Sequence, residues 1–181
     1  MNEIVKPGII LFAICIIASF CLGLVNQITK TPIETQRQET KLSTQKELLP
    51  EATEFEEIQF TSENSVSEIY KAMNSGETVG YIFFAKPRGY GDVIEVAVAL
   101  SSKGNILDIR IVNQNETPGL GTNVTNPSFL EQYKISSGPF VVTKMDSSNQ
   151  NEITAITSAT ISSEAVTLGV NDILETFKSV Y

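Results

Sequence analysis

The eighteen residues from Gly8 to Val25, GIILFAICIIASFCLGLV, carry no charged side chain, and this run constrains the chain more than any other feature. At ~1.5 Å per residue it makes roughly 27 Å of helix, close to the hydrocarbon thickness of a bilayer. A cleaved signal peptide is the competing reading, with Lys6 as its basic flank. No A-x-A-like cleavage site follows before Asn26 and Gln27, so the run reads as a transmembrane anchor in contact with membrane lipid. Lipidation is disfavoured because the residues preceding Cys15 and Cys21 are Ile14 and Phe20, neither of them small. Lys6 stands on one side of the run and Lys30, Arg37 and Lys41 on the other, diluted by Glu34 and Glu39. The positive-inside rule therefore leaves the orientation open.

Setting the anchor aside leaves room for one domain. The expected organisation is a tail at residues 1–7, the anchor at 8–27, a helical linker at 28–50 and a folded domain at 51–181. The formal net charge of -8 argues against nucleic acid as a partner, which would need a lysine and arginine face. Histidine is absent. That removes the commonest general base, the usual nucleophile pairs and histidine ligation of a metal, so no catalytic residue and no metal site are expected. Both cysteines lie in the apolar run, which leaves no thiolate cluster for an iron-sulfur centre.

In the linker, Thr31-Pro32 opens a polar stretch that reads as a separate helix stopped by Pro50. Beyond it, β-branched and aromatic residues mark strands at 55–60, 67–73, 78–85, 94–100, 106–112 and 140–144. Asn74-Ser75-Gly76 and Ser102-Lys103-Gly104-Asn105 tolerate positive φ and predict two hairpins. Pro127 to Tyr133 reads as a short helix. Ser162 to Val180 reads as a longer one with Val166, Val170, Ile173 and Phe177 on one face. The fold class is α+β: an antiparallel sheet with flanking helices, preceded by a single transmembrane helix.

Three segments interrupt this pattern. Gly89-Tyr90-Gly91 and Glu116-Thr117-Pro118-Gly119-Leu120-Gly121 let backbone approach a ligand, although each also reads as an ordinary turn. Neither has the spacing of a P-loop or a dinucleotide fingerprint. Thr157-Ser158-Ala159-Thr160 stands directly before the last helix, where Ser162 or Ser163 would cap and Glu164 would lie in the first turn. A helix N-terminus also seats phosphate. Local chemistry leaves both readings open and makes capping the simpler one.

Together these features resemble the FMN-binding domain shared by the G subunit of Rnf electron-transport complexes and the C subunit of sodium-pumping NADH:quinone reductases. An N-terminal membrane helix, a GYG segment, an ETPGLG loop and a late S/T-G-A-T motif occur in that order, the last with Ser158 in place of glycine and Thr154 where an aspartate is common. Phe129, Leu130 and Gln132 also resemble the family's segment after the ETPGLG loop. The resemblance implies FMN joined by a phosphoester to Thr160, attached by a separate flavin transferase. It implies an isoalloxazine lying along Glu116, Thr117, Gly119, Leu120 and Gly121, with Tyr90, Gly91, Thr157, Ser158 and Ala159 completing the site.

The role so implied is electron carriage in an ion-translocating ferredoxin:NAD oxidoreductase, among the other subunits of a membrane complex. The protein would have no independent turnover, and its domain would face the extracytoplasmic side of the cell membrane. The short chain favours the Rnf-type protein over its quinone-reductase equivalent. Two further readings stand beside it: a flavin-free assembly or sensory subunit that keeps the scaffold, and an extracytoplasmic module that binds a free phosphate compound.

Overall fold

The computed structural model describes residues 5–61, 64–145 and 149–181 and divides into two compact units, one ending at Lys41 and one comprising Leu42–Tyr181. Helix α1 runs unbroken over Val5–Leu48. Among the described residues it is the one helix long and apolar enough to cross a membrane. The expected helix start at Thr31-Pro32 is not observed, because Pro32 lies inside α1. An interior proline removes one backbone hydrogen bond and costs about 3 kcal/mol, yet it need not end a helix whose neighbours all favour it. On either side of the proline, threonine hydroxyls bond back to the preceding turn, Thr29 Oγ1 donating to the Val25 carbonyl at 2.8 Å and Thr35 Oγ1 to that of Thr31 at 3.1 Å. The helix ends just before Pro50, as the residue preceding a proline disfavours the helical region.

The second unit is α+β. Strands β1 (Glu54–Glu57), β2 (Val66–Asn74), β3 (Glu77–Ala85), β4 (Glu95–Leu100) and β5 (Ile106–Asn113) form one antiparallel sheet in sequential order. The β2–β3 hairpin closes through Ser75 and Gly76, whose φ values of 53° and 85° are those a twisted two-residue turn requires. The predicted strand at 140–144 shortens to β6 (Val141–Thr143) and stands outside the large sheet, pairing in parallel with β7 (Glu152–Thr154), which carries no sequence signal of its own. Helix α2 (Pro127–Leu130) continues as a 3-10 turn over Glu131–Lys134. Helix α3 spans Thr160–Val180.

Every residue of β4 is buried, so the sheet must be covered on both sides. On one face, Ile69, Phe83, Val96, Val98 and Leu100 pack with Val166, Val170, Ile173 and Phe177, the stripe that the sequence places on one side of α3. Each such side chain stabilises by about 1.5–3 kcal/mol. On the other face, Ala72, Ile82, Phe84, Ala97 and Ala99 meet Leu48 and Leu49 at the end of α1. The first turn of α3 is thereby held at one end of the sheet, beside the loops that leave β3 and β5.

Candidate functional site

A cavity of about 580 Å³ opens where those loops converge, lined by Tyr90, Glu116, Thr117, Leu120, Gly121, Ser158, Ala159, Thr160, Ile161 and Ser162. Three segments separated in sequence thus meet, and eight of the eleven expected site residues line the cavity. Gly91, Gly119 and Thr157 do not. Ile161 and Ser162 were not anticipated as cavity residues. Ile161 is 51% exposed, and its apolar side chain at a helix start carries no binding signal. Ser162 read as a cap.

The capping expectation fails, for a local reason. Helix α3 begins at Thr160, which places Ser162 and Ser163 inside its first turn. No side chain caps the helix; Ala159 occupies the cap position at φ -136°, ψ 41°, and the first intrahelical bond runs from Ser163 N–H to the Ala159 carbonyl at 3.0 Å. The amides of Thr160, Ile161 and Ser162 therefore have no acceptor within the helix. Both serine hydroxyls are engaged elsewhere. Ser163 donates to the Ala159 carbonyl and accepts from Ile156 N–H, each at 3.0 Å, while Ser162 donates to the Glu116 carboxylate. Thr160 is half-buried and Ser158 is exposed. Ser158 has φ 65°, in the left-handed region that favours glycine.

Glu116 is 5% exposed and, among the described residues, is the only charged side chain lining the cavity. Burial alone would raise its pKa. Hydrogen bonds from Ser162 and from the N–H groups of Gly91, Tyr90 and Asp92 outweigh that effect and hold the carboxyl below its usual range. The Gly91 and Tyr90 bonds measure 2.9 and 3.2 Å. The loop turns tightly, with Gly89 N–H donating to the Asp92 carbonyl at 2.8 Å, so three successive amides face one anion.

The glycines follow from this contact. A Cβ on Gly91 would lie 2.5 Å from the Asn115 carbonyl oxygen, and one on Gly121 would lie 2.7 Å from both Glu116 Cβ and Ser162 Oγ. Gly119 has free space around it and is explained by its φ of 76°. Another polar clamp involves Gln132, whose side chain accepts from Thr154 N–H at 2.7 Å and so secures β7 upstream of the late motif.

Small-molecule sites typically enclose about 300–1,000 Å³, and this one combines an apolar wall, glycine clearance and an uncapped helix start. Its size and lining fit a group of nucleotide size, with Leu120 and Tyr90 as the residues that would meet an aromatic ring and the amides at the start of α3 those that would meet a phosphate. The family model described as FMN-binding domain matches residues 89–175, spanning all three converging segments, and one described as RnfG N-terminal region matches residues 1–48.

The G subunit of the proton-translocating ferredoxin:NAD(+) oxidoreductase complex of Clostridium ljungdahlii is 35% identical over 162 residues, covering 89% of this chain and 84% of the relative. The G subunit of the Na(+)-translocating ferredoxin:NAD(+) oxidoreductase complex of Acetobacterium woodii is 35% identical over 192 residues, covering 97% and 92%. Among solved structures, NqrC of Shewanella oneidensis is 17% identical with a TM-score of 0.48, covering 73% of this chain and 74% of that one. The chain belongs to the family of G subunits of ion-translocating oxidoreductase complexes.

Proposed function

We propose that this protein is a membrane-anchored electron carrier of an ion-translocating ferredoxin:NAD oxidoreductase, and that its FMN is bound covalently through a phosphoester to the Thr160 hydroxyl. The observation that carries the reading is the position of Thr160: it is the first residue of an uncapped helix, and it lines the cavity that also gathers the GYG and ETPGLG segments. A phosphate esterified there lies beside the free amides and the positive end of a 21-residue helix.

Bound FMN supplies redox chemistry in one- or two-electron steps, and the protein's part is to seat and orient it. Leu120 and Tyr90, 42% and 71% exposed, offer apolar surface at the cavity mouth, where the flavin meets its electron partners. The absence of histidine costs such a carrier nothing, since electron transfer needs no general base. The proposed organisation keeps the anchor at residues 8–27, the helical linker at 28–50 and the flavin domain at 51–181, with the domain on the extracytoplasmic side. The partners in this reading are the other proteins of the complex, a flavin transferase during maturation, and lipid around the anchor.

Mass spectrometry of the tryptic peptide spanning residues 145–178 tests the assignment. Protein from cells that possess the transferase is expected to carry one FMN, less one water, on Thr160. Thr160→Val is expected to lose the adduct while keeping the far-UV dichroism of flavin-free wild type, because a β-branched side chain of the same shape occupies the half-buried position. An unmodified wild-type peptide, or an adduct retained in Thr160→Val, would overturn it.

A further inference from the structure

An ionised carboxylate offers about four lone-pair directions, and Glu116 has four donors directed at them: the N–H groups of Tyr90, Gly91 and Asp92, and the Ser162 hydroxyl. Its acceptor capacity is therefore spent on its own chain. The four donors belong to two segments far apart in sequence, the GYG turn and the start of α3, while Glu116 itself opens the ETPGLG loop. One side chain thus joins all three walls of the cavity. The fit is close enough that glycine is needed on both sides of it, at Gly91 against Asn115 and at Gly121 against Glu116 and Ser162.

We infer that Glu116 is a positioning residue that assembles the flavin seat by binding its own backbone, and that it does not hydrogen-bond the flavin. This rests on the FMN reading above and separates two properties which that reading joins. The covalent tether needs only the Thr160 hydroxyl. The ordered seat needs the clamp, because without it the GYG turn loses its acceptor and Ser162 its partner. Glutamine cannot replace Glu116: its NH₂ group would oppose the N–H of Tyr90 or Gly91 with a donor facing a donor.

Flavin-loaded full-length wild type, Glu116→Gln and Ser162→Ala provide the test, read in three ways. In-gel fluorescence after denaturation reports the tether, visible circular dichroism and flavin anisotropy report the seat, and hydrogen exchange at Tyr90 and Gly91 in flavin-free protein reports the clamp itself.

Glu116→Gln is expected to keep a wild-type fluorescent band, to lose most of its visible dichroism and anisotropy, and to speed exchange of both amides about tenfold or more, the factor that a loss of roughly 1.4 kcal/mol in local protection produces. Ser162→Ala removes one donor of four and is expected to fall between. Tethered flavin in Glu116→Gln with unchanged dichroism and anisotropy would overturn the inference, as would a dark Glu116→Gln band beside a bright wild-type one. A dark band in wild type would refute the covalent reading instead. The exchange measurement would still decide the clamp, since unchanged protection at Tyr90 and Gly91 in Glu116→Gln would overturn it. Should Glu116→Gln fail to fold, Ser162→Ala carries the same comparison, and a wild-type seat in that variant with slow amide exchange would count against the clamp.

Discussion

Replacing Ser158 with glycine should stabilise the protein, although Ser158 touches the cavity and the substitution removes atoms from it. The residue sits at φ 65° and is exposed. For an L-residue with a Cβ, the left-handed region costs roughly 1–2 kcal/mol. Glycine relieves that strain but brings a more flexible unfolded chain, which takes back about 0.5–1 kcal/mol. The expected balance is a gain of about 0.5–1 kcal/mol, a rise of roughly 2–4 °C in melting temperature for a domain of this size. Thr157→Gly is the matched control. It is exposed in the same loop without a positive φ, so it should lose about 0.5–1 kcal/mol from chain entropy alone. Both are read by thermal and urea unfolding of the full chain in detergent. If Ser158→Gly left stability unchanged or lowered it, or if Thr157→Gly raised it equally, backbone strain at position 158 would be the wrong account.

Two further outcomes follow from the Glu116 environment. Gly121→Ala forces a Cβ to within 2.7 Å of Glu116 Cβ and Ser162 Oγ, and is expected to cost about 1–3 kcal/mol of stability and to weaken the flavin's visible dichroism, measured by melting and by spectroscopy of loaded protein. Because the Glu116 carboxyl is held below its usual range when folded, its contribution is fully present above the unfolded pKa of about 4.3 and is lost as pH falls through the lower folded value. Acid unfolding followed by far-UV dichroism should therefore show less of this loss in Glu116→Gln than in wild type, and equal acid sensitivity would contradict the assignment.

The apolar stripe of α3 was legible because Val166, Val170, Ile173 and Phe177 recur at helical spacing, a period that burial enforces directly. The hairpin at Ser75-Gly76 was legible because its φ values leave few residue choices. By contrast, β7 and the parallel pairing of β6 left no trace, since three-residue strands carry too little pattern to separate from loop. The continuity of α1 through Pro32 was missed because a proline reads as punctuation even where the residues around it sustain the helix.

Sequence alone determined the membrane-length apolar run and the α+β pattern, which are consequences of composition and periodicity, and it marked three glycine- or hydroxyl-bearing segments whose local chemistry left turn, cap and ligand readings open. Tertiary structure decided that these segments meet and which partners their side chains take. The helix start that looked capped is uncapped because Ser162 turns to Glu116 and Ser163 to Ile156 and Ala159. Glu116, read from the sequence only as part of a glycine-bearing loop, joins that loop to the GYG turn and to the first turn of α3. A side chain with several possible partners takes the one that burial leaves it, and that depends on residues far away in the chain.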